Sequence, residues 1–497
     1  MGIMRTKSVE QSIRDTEEPE FQLRKALGPL DLTVFGIGVI IGTGLFVLTG
    51  VAAANFAGPA ISLSYIVSGV ACVLAALCYA EFASTVPVAG SAYTFSYASL
   101  GEFIAWIIGW DLILEFIVGA SAVSVGWSGY FGQILKSFFG ITLPTAITGE
   151  GVVNVPAMGI ALLLTVILVI GIRASSSVNF AIVLIKLAVV FVFIGIGVFL
   201  VNSANWSPFI PPPGGAVASA TPEGGEPSLL QAVLGIAGQS FGITGILTGA
   251  AIVFFAYIGF DVVATTSEEA RNPQRDLPIG IIASLAICTI LYVVVSLILT
   301  GIVSYTQLGT DAPMATALSA AGQEWAAGLI SVGILAGLTS VIMILILGQS
   351  RVAFAMSRDN LLPVYFARAH PRFRTPYRIT ILTGVVVALM AGFVNLKQLA
   401  ELTNIGTLFA FVLVSISVIV LRRTNPNLRR AFQTPLVPVV PILAALTCFL
   451  LMVFLPVGTW IRFVVWMVVG LVVYFTYSVR HSRLARGEGV DEAAQEV

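Results

Sequence analysis

Apolar residues run through this chain in long blocks separated by short polar, basic or Gly/Pro-containing segments, and block length sets the first expectation. A helix that crosses a bilayer needs about 20 mostly apolar residues. Twelve stretches approach or exceed that length: 33–54, 59–82, 103–135, 156–172, 178–201, 242–266, 277–303, 325–356, 379–394, 399–421, 436–455 and 460–479. The third and eighth are longer than one span, so each is expected to tilt or to extend past the bilayer. Segment 202–241 begins rich in Pro and Gly and turns apolar after Ser228. That pattern predicts a loop followed by an interfacial helix.

The basic residues give this pattern a direction. All but four of the 25 Lys and Arg fall on one side of the twelve stretches; Lys136, Lys397 and Arg462 fall on the other, and Lys186 lies inside the fifth. Because Lys and Arg are retained on the cytoplasmic face, both termini are expected there, in a multi-pass protein of the cell membrane. No apolar run precedes a small-residue cleavage site before Ala26, so no cleaved leader is expected. Asp31, at the start of the first stretch, is expected to be its N-cap.

Composition closes off other classes. The apolar set is 57% of the chain and the charged set 10%, and Lys plus Arg equals Asp plus Glu at 25 each. Nothing there provides the basic footprint of nucleic-acid binding, so the lipid bilayer is the expected partner. Cys72, Cys78, Cys288 and Cys448 all sit in apolar runs, and His370 and His481 are the only histidines. Neither set has the spacing of a metal centre or of a nucleophile with its base. No metal, cofactor or enzymatic activity is expected.

Two of the apolar stretches are interrupted. The first carries Gly36, Gly38, Gly42 and Gly44 within nine residues, each costing about 1 kcal/mol relative to alanine in a helix. Five stretches later comes Phe254-Phe255-Ala256-Tyr257-Ile258-Gly259-Phe260-Asp261. Glycines also let helices pack closely, and Gly36 alone is read that way. Broken helices in matching positions of two halves mark the binding site of transporters built from inverted repeats. Amides of Gly42, Thr43 and Gly44, at the positive end of a second half-helix, suit a carboxylate, and Ile40 at the same break is a further substrate-binding candidate. Carbonyls at Phe254, Ala256 and Ile258 suit an ammonium group. Together they suit an α-amino acid.

Several segments carry a family resemblance: Gly36 to Gly50; Ala80-Glu81-Phe82 with Pro87-Val88-Ala89-Gly90-Ser91-Ala92-Tyr93; Gly109-Trp110-Asp111-Leu112-Ile113-Leu114-Glu115; and Phe255 through Glu269 with Asn272-Pro273-Gln274-Arg275-Asp276-Leu277-Pro278. Arg374-Thr375-Pro376-Tyr377-Arg378 adds to them. The chain resembles amino acid permeases of the amino acid–polyamine–organocation superfamily, and within it the cationic amino acid transporter-like branch. The resemblance implies an all-α integral membrane protein with twelve transmembrane helices in the LeuT-type fold, two inverted five-helix repeats plus two C-terminal helices. On this chain that divides into a cytoplasmic segment 1–27, a first repeat 28–202, an outer loop and interfacial helix 203–241, a second repeat 242–421, two further helices 422–479 and a tail 480–497. It also implies secondary active transport by alternating access, proton-coupled or exchanging, with an accessory subunit left open. The alternative is an amino-acid-gated channel or a substrate-sensing receptor on the same helices.

Charges at membrane depth are costly and presumptively functional. Lys186 matches the position where proton-coupled relatives carry a lysine in place of sodium, and is expected to couple protons. Thr339 and Ser340 match the segment that supplies hydroxyls to that site. Asp111 and Glu115, four residues apart and so on one helix face, are candidate charge partners of Lys186. Asp111 is read as a brace; Glu115 either braces the bundle or approaches a cationic side chain. Met343, four residues beyond Thr339, is expected to shorten the substrate pocket beside Phe254 and so to select small neutral amino acids such as alanine. Glu268 and Glu269 close the sixth stretch, with Arg271 or Arg351 as candidate gate partners.

Overall fold

The structure is a computed structural model that describes residues 27–486 except 86–90, 149–151, 172–175, 214–225, 236–239, 265–269, 369, 371–372, 374 and 429. Glu268, Glu269 and nearly all of the N-terminal segment fall outside the described residues. Helices are the regular elements among them, joined by two isolated bridges, Leu27 with Ala270 and Ser228 with Pro456. In chain order they are α1 (Pro29–Ile40), α2 (44–57, in three consecutive pieces), α3 (Ile61–Thr85), α4 (Ser91–Ser99), α5 (Glu102–Phe139), α6 (Val155–Ile170), α7 (Ser176–Val198), α8 (Leu229–Leu234) and α9 (Gly242–Val253). Then follow α10 (Phe260–Ala264), α11 (Pro273–Ile302), α12 (Pro313–Ala320), α13 (Glu324–Arg358), α14 (Tyr377–Phe393), α15 (Leu396–Thr424), α16 (Val439–Val453) and α17 (Val457–Val473).

Among the described residues, eight helical segments are long and apolar enough to cross a membrane: Gly44–Thr85, Glu102–Phe139, Phe180–Val198, Gly242–Ala264, Pro273–Ile302, Glu324–Arg358, Leu396–Thr424 and Val457–His481. Four shorter apolar helices, α1, α6, α14 and α16, accompany them. Their outward faces carry large apolar side chains. Ile442, Leu446 and Phe449 of α16 and Val464, Val468 and Val472 of α17 are each exposed by 45% or more. Patches of this extent on a chain in water would drive association; in a bilayer they are the solvated surface. This is a multi-pass membrane protein.

The helix ends follow from local chemistry. Gly28 rather than Asp31 is the N-cap of α1: Asp31 stands at the third helical position, and its carboxylate accepts the Gly28 amide at 2.9 Å. A carboxylate one turn inside the helix satisfies an orphan donor as an N-cap does, because the chain turns back over it. Helix α8 begins where the apolar character begins, capped by Ser228 Oγ accepting from the Gln231 amide at 3.2 Å.

Buried polar links then fasten one helix to another. Glu81, 2% exposed at the end of α3, accepts Arg422 Nε at 3.0 Å, Arg422 Nη2 at 2.8 Å and the Thr434 amide at 2.8 Å, and Arg430 Nε lies 3.4 Å away. The carboxylate therefore ties α3 to the end of α15 and to the segment leading into α16. Removing one partner of a buried pair strands the others, at a cost of about 3–5 kcal/mol. Glu81→Gln is expected to lower unfolding stability in detergent by about 3 kcal/mol, whereas Arg423→Gln, at an exposed neighbour, leaves it within about 0.5 kcal/mol. Equal unfolding midpoints for the two variants would refute the assignment.

Candidate functional site

The first helix stops at Ile40 and restarts two residues later. Ile41 takes an extended conformation (φ −73°, ψ 104°), and the next hydrogen bonds run from the Leu45 and Phe46 amides to Gly42 O, both at 3.1 Å. A break leaves the last carbonyls of one half and the first amides of the next without helical partners. Buried side chains take up the carbonyls. Lys186 Nζ of α7 donates to Gly38 O at 2.5 Å and to Ile41 O at 3.3 Å, and Tyr292 Oη of α11 donates to Ile40 O at 2.9 Å. A cation at a helix C-terminus also meets the negative end of the dipole. The amides of Gly42, Thr43 and Gly44 open the second half and precede its first hydrogen-bonded amide.

The second interruption has a different shape. After α9 the chain makes a tight turn over Phe254–Tyr257, extends at Ile258 and passes Gly259 at φ +112°, a conformation open to glycine, before α10 begins. Asn404 Nδ2 of α15 donates to Ala251 O at 2.7 Å and Ile252 O at 3.0 Å, and Tyr292 Oη reaches Ala256 O at 2.7 Å. The two breaks touch. Gly44 lies so close to Ala256 that a Cβ there would fall 2.6 Å from the Ala256 nitrogen.

A cavity of about 20 Å³ separates what remains, room for roughly one water. Ile40, Gly42, Thr43 and Gly44 line it from the first break and Phe255 and Ile258 from the second; Gly119 and Val123 of α5 and Val341 and Leu345 of α13 close the far side. Thr43 Oγ1 is buried there without a hydrogen-bond partner. No charged side chain belongs to this lining, so its chemistry is apolar walls, helix-end amides and one free hydroxyl.

The remaining expected site residues lie around this cavity rather than in it. Phe255 lines it in place of Phe254, whose ring packs edge-on against Phe411 at 5.8 Å. Ala256 contributes the contact with Gly44, and its carbonyl is held by Tyr292 rather than left open. Met343 is off the lining for a reason of helical register. Val341 and Leu345 are four residues apart and share the cavity face, and Met343, midway between them, points about 200° from either. Thr339 Oγ1 donates to Leu335 O at 2.8 Å and accepts Trp127 Nε1 at 2.9 Å, and Ser340 Oγ donates to Gly337 O at 2.8 Å. Lys186 bonds backbone instead of these hydroxyls. Its stem fills the space left by Gly337, where a Cβ would come within 2.9 Å of Lys186 Cε. Among the described residues neither Asp111 nor Glu115 forms an ion pair with Lys186, whose hydrogen bonds go to Gly38 O and Ile41 O.

The amino acid permease family profile matches residues 27–476. The chain belongs to that family. It is therefore a transporter rather than an enzyme. This permease is 48% identical over 492 residues to the branched-chain amino acid permease BcaP of Bacillus subtilis, covering 97% of this chain and 99% of the relative. It is 47% identical over 468 residues to a methylthioribose transporter of the same organism, covering 93% and 95%. A vacuolar cationic amino acid transporter 4 of Arabidopsis thaliana is 38% identical over 434 residues, covering 86% of the permease and 68% of the relative.

Sequence reasoning passed over Tyr292, Asn404, Val341 and Leu345. Tyr292 and Asn404 carried a usable signal, since a buried tyrosine or asparagine inside an apolar run must find a partner. The two aliphatic residues carried none.

Proposed function

We propose that this permease is a secondary active transporter that binds a small neutral α-amino acid between the two helix breaks and moves it by alternating access. The observation that carries the reading is the cavity itself, bounded by both breaks and free of charged side chains. The amides of Gly42, Thr43 and Gly44 receive the carboxylate, helped by the Thr43 hydroxyl, and carbonyls of the two breaks receive the ammonium. Apolar Phe255, Val341 and Leu345 leave a cationic side chain no counter-charge, which favours a neutral substrate. The cavity holds about one water when empty. Substrate entry therefore requires the half-helices to part, as alternating access does.

The two breaks fall at equivalent places in repeats 28–202 and 242–421, which supports the twelve-helix inverted-repeat topology. With both termini cytoplasmic in the cell membrane, Lys186 joins α7 to the first break and couples protons to that opening.

Uptake of labelled alanine into proteoliposomes, with leucine, arginine and methylthioribose as competitors, tests the reading. Alanine is expected to be accumulated and arginine to compete weakly; arginine competing better than alanine would overturn it. Leu345→Ala is expected to shift kcat/KM toward leucine over alanine by about tenfold, the value of a few methylenes in an apolar pocket. Met343→Ala, off the lining, is expected to move that ratio less than about twofold.

A further inference from the structure

We infer that Tyr292 is a positioning residue that reports the arrival of the substrate ammonium to both broken helices, an inference that rests on the cavity being the amino acid site. Its hydroxyl lies 2.9 Å from Ile40 O in the first break and 2.7 Å from Ala256 O in the second. A phenol has one proton, and neither carbonyl can donate. The two acceptors therefore compete for a single donor in a fully buried place, and whichever loses is short of a hydrogen bond that water cannot replace.

The surroundings hold the hydroxyl in that position. Tyr65 of α3 and Tyr257 pack their rings 5.2 Å and 5.3 Å from that of Tyr292. Each of those tyrosines spends its hydroxyl elsewhere: Tyr65 Oη lies 2.6 Å from Thr49 Oγ1 and 3.1 Å from Gly44 O, and Tyr257 Oη donates to Tyr65 O at 2.7 Å. Neither relieves the competition at Tyr292. Ile40 lines the cavity, so an ammonium group there supplies the missing donor to Ile40, and the Tyr292 proton settles on Ala256. Before binding, one hydrogen bond is shared by the two breaks; after it, each has its own. The hydroxyl also keeps the two carbonyls converging on one point, so a site without it recognises an ammonium less well.

Binding of alanine and of propionate, which lacks the ammonium, to purified wild type, Tyr292→Phe and Tyr130→Phe tests this. Tyr130 also donates to a backbone carbonyl, Phe46 O at 2.6 Å, but spans no break. Tyr292→Phe is expected to weaken alanine about tenfold and to cut the preference for alanine over propionate by the same factor. Tyr130→Phe is expected to change either by less than about twofold. Should Tyr292→Phe fail to fold, Tyr292→3-fluorotyrosine preserves the shape, and its fluorine resonance is expected to shift with alanine and not with propionate. Alanine affinity in folded Tyr292→Phe within twofold of wild type, or an unmoved resonance at saturating alanine, overturns the inference while leaving the site intact. A wild type that binds no amino acid overturns both.

Discussion

Lys186→Ala is expected to abolish accumulation of substrate driven by an inward proton gradient while counterflow exchange remains measurable. The expectation rests on where the ammonium group lies. Lys186 is 1% exposed, and its hydrogen bonds go to two neutral carbonyls of the first break. Among the described residues no carboxylate pairs with it. A protonated amine on those carbonyls binds α7 to the end of α1 by charge-assisted bonds, about twice as strong as neutral ones. An amine that has lost its proton holds them less firmly. The proton thus has different free energies in states where the contact is made and where it is broken, which is the differential interaction coupling requires. Alanine in place of lysine removes that difference and changes no residue that lines the cavity, so exchange is expected to survive. Gradient-driven and counterflow uptake by one proteoliposome preparation separate the two effects. A variant that still concentrates substrate against its gradient would exclude Lys186 as the coupling group.

What could be read in the sequence divides along physical lines. Block length and glycine content depend on composition over many residues, and for that reason the helical stretches and the interruptions at 41–43 and 254–259 were visible without coordinates. The basic asymmetry, also a property of many residues, yields the expectation of cytoplasmic termini. Side-chain direction within a long apolar helix is different: 325–356 has apolar residues on every face, so no moment distinguishes the Val341 and Leu345 face from that of Met343. Charge and membrane depth made Asp111 and Glu115 candidate partners of Lys186, but two helices can present charges of similar depth on different sides of a bundle. Both Asp111 carboxylate oxygens are instead buried without a hydrogen-bond partner. Nor could spacing show that the carbonyls freed by the breaks would be taken up by Tyr292 and Asn404, since those bonds join helices far apart in the chain.

Two glycines of the first break should respond differently to the same added methyl group, one in stability and turnover and the other in substrate affinity. At Gly44 a Cβ would lie 2.5 Å from Ala256 Cβ and 2.6 Å from Ala256 N, backbone that cannot move aside without separating the two interruptions. Overpacking of this kind costs about 1–3 kcal/mol where neighbours can adjust. Here adjustment means displacing the Gly42 to Gly44 amides from the Ala256 turn. Gly44→Ala is therefore expected to reduce kcat/KM for alanine at least a hundredfold, with a lowered unfolding temperature. At Gly42 the nearest atom to a Cβ is Val341 Cγ2 at 3.6 Å, an ordinary contact. Gly42→Ala should fold with wild-type stability, yet its methyl group enters a cavity with room for about one water. Its cost is therefore expected in substrate affinity, as a KM raised about tenfold with kcat within a factor of about three. Thermal unfolding and uptake kinetics on both variants make the comparison. If Gly44→Ala transports normally, the contact between the two breaks is not needed for turnover; if Gly42→Ala leaves KM unchanged, the substrate does not occupy this cavity.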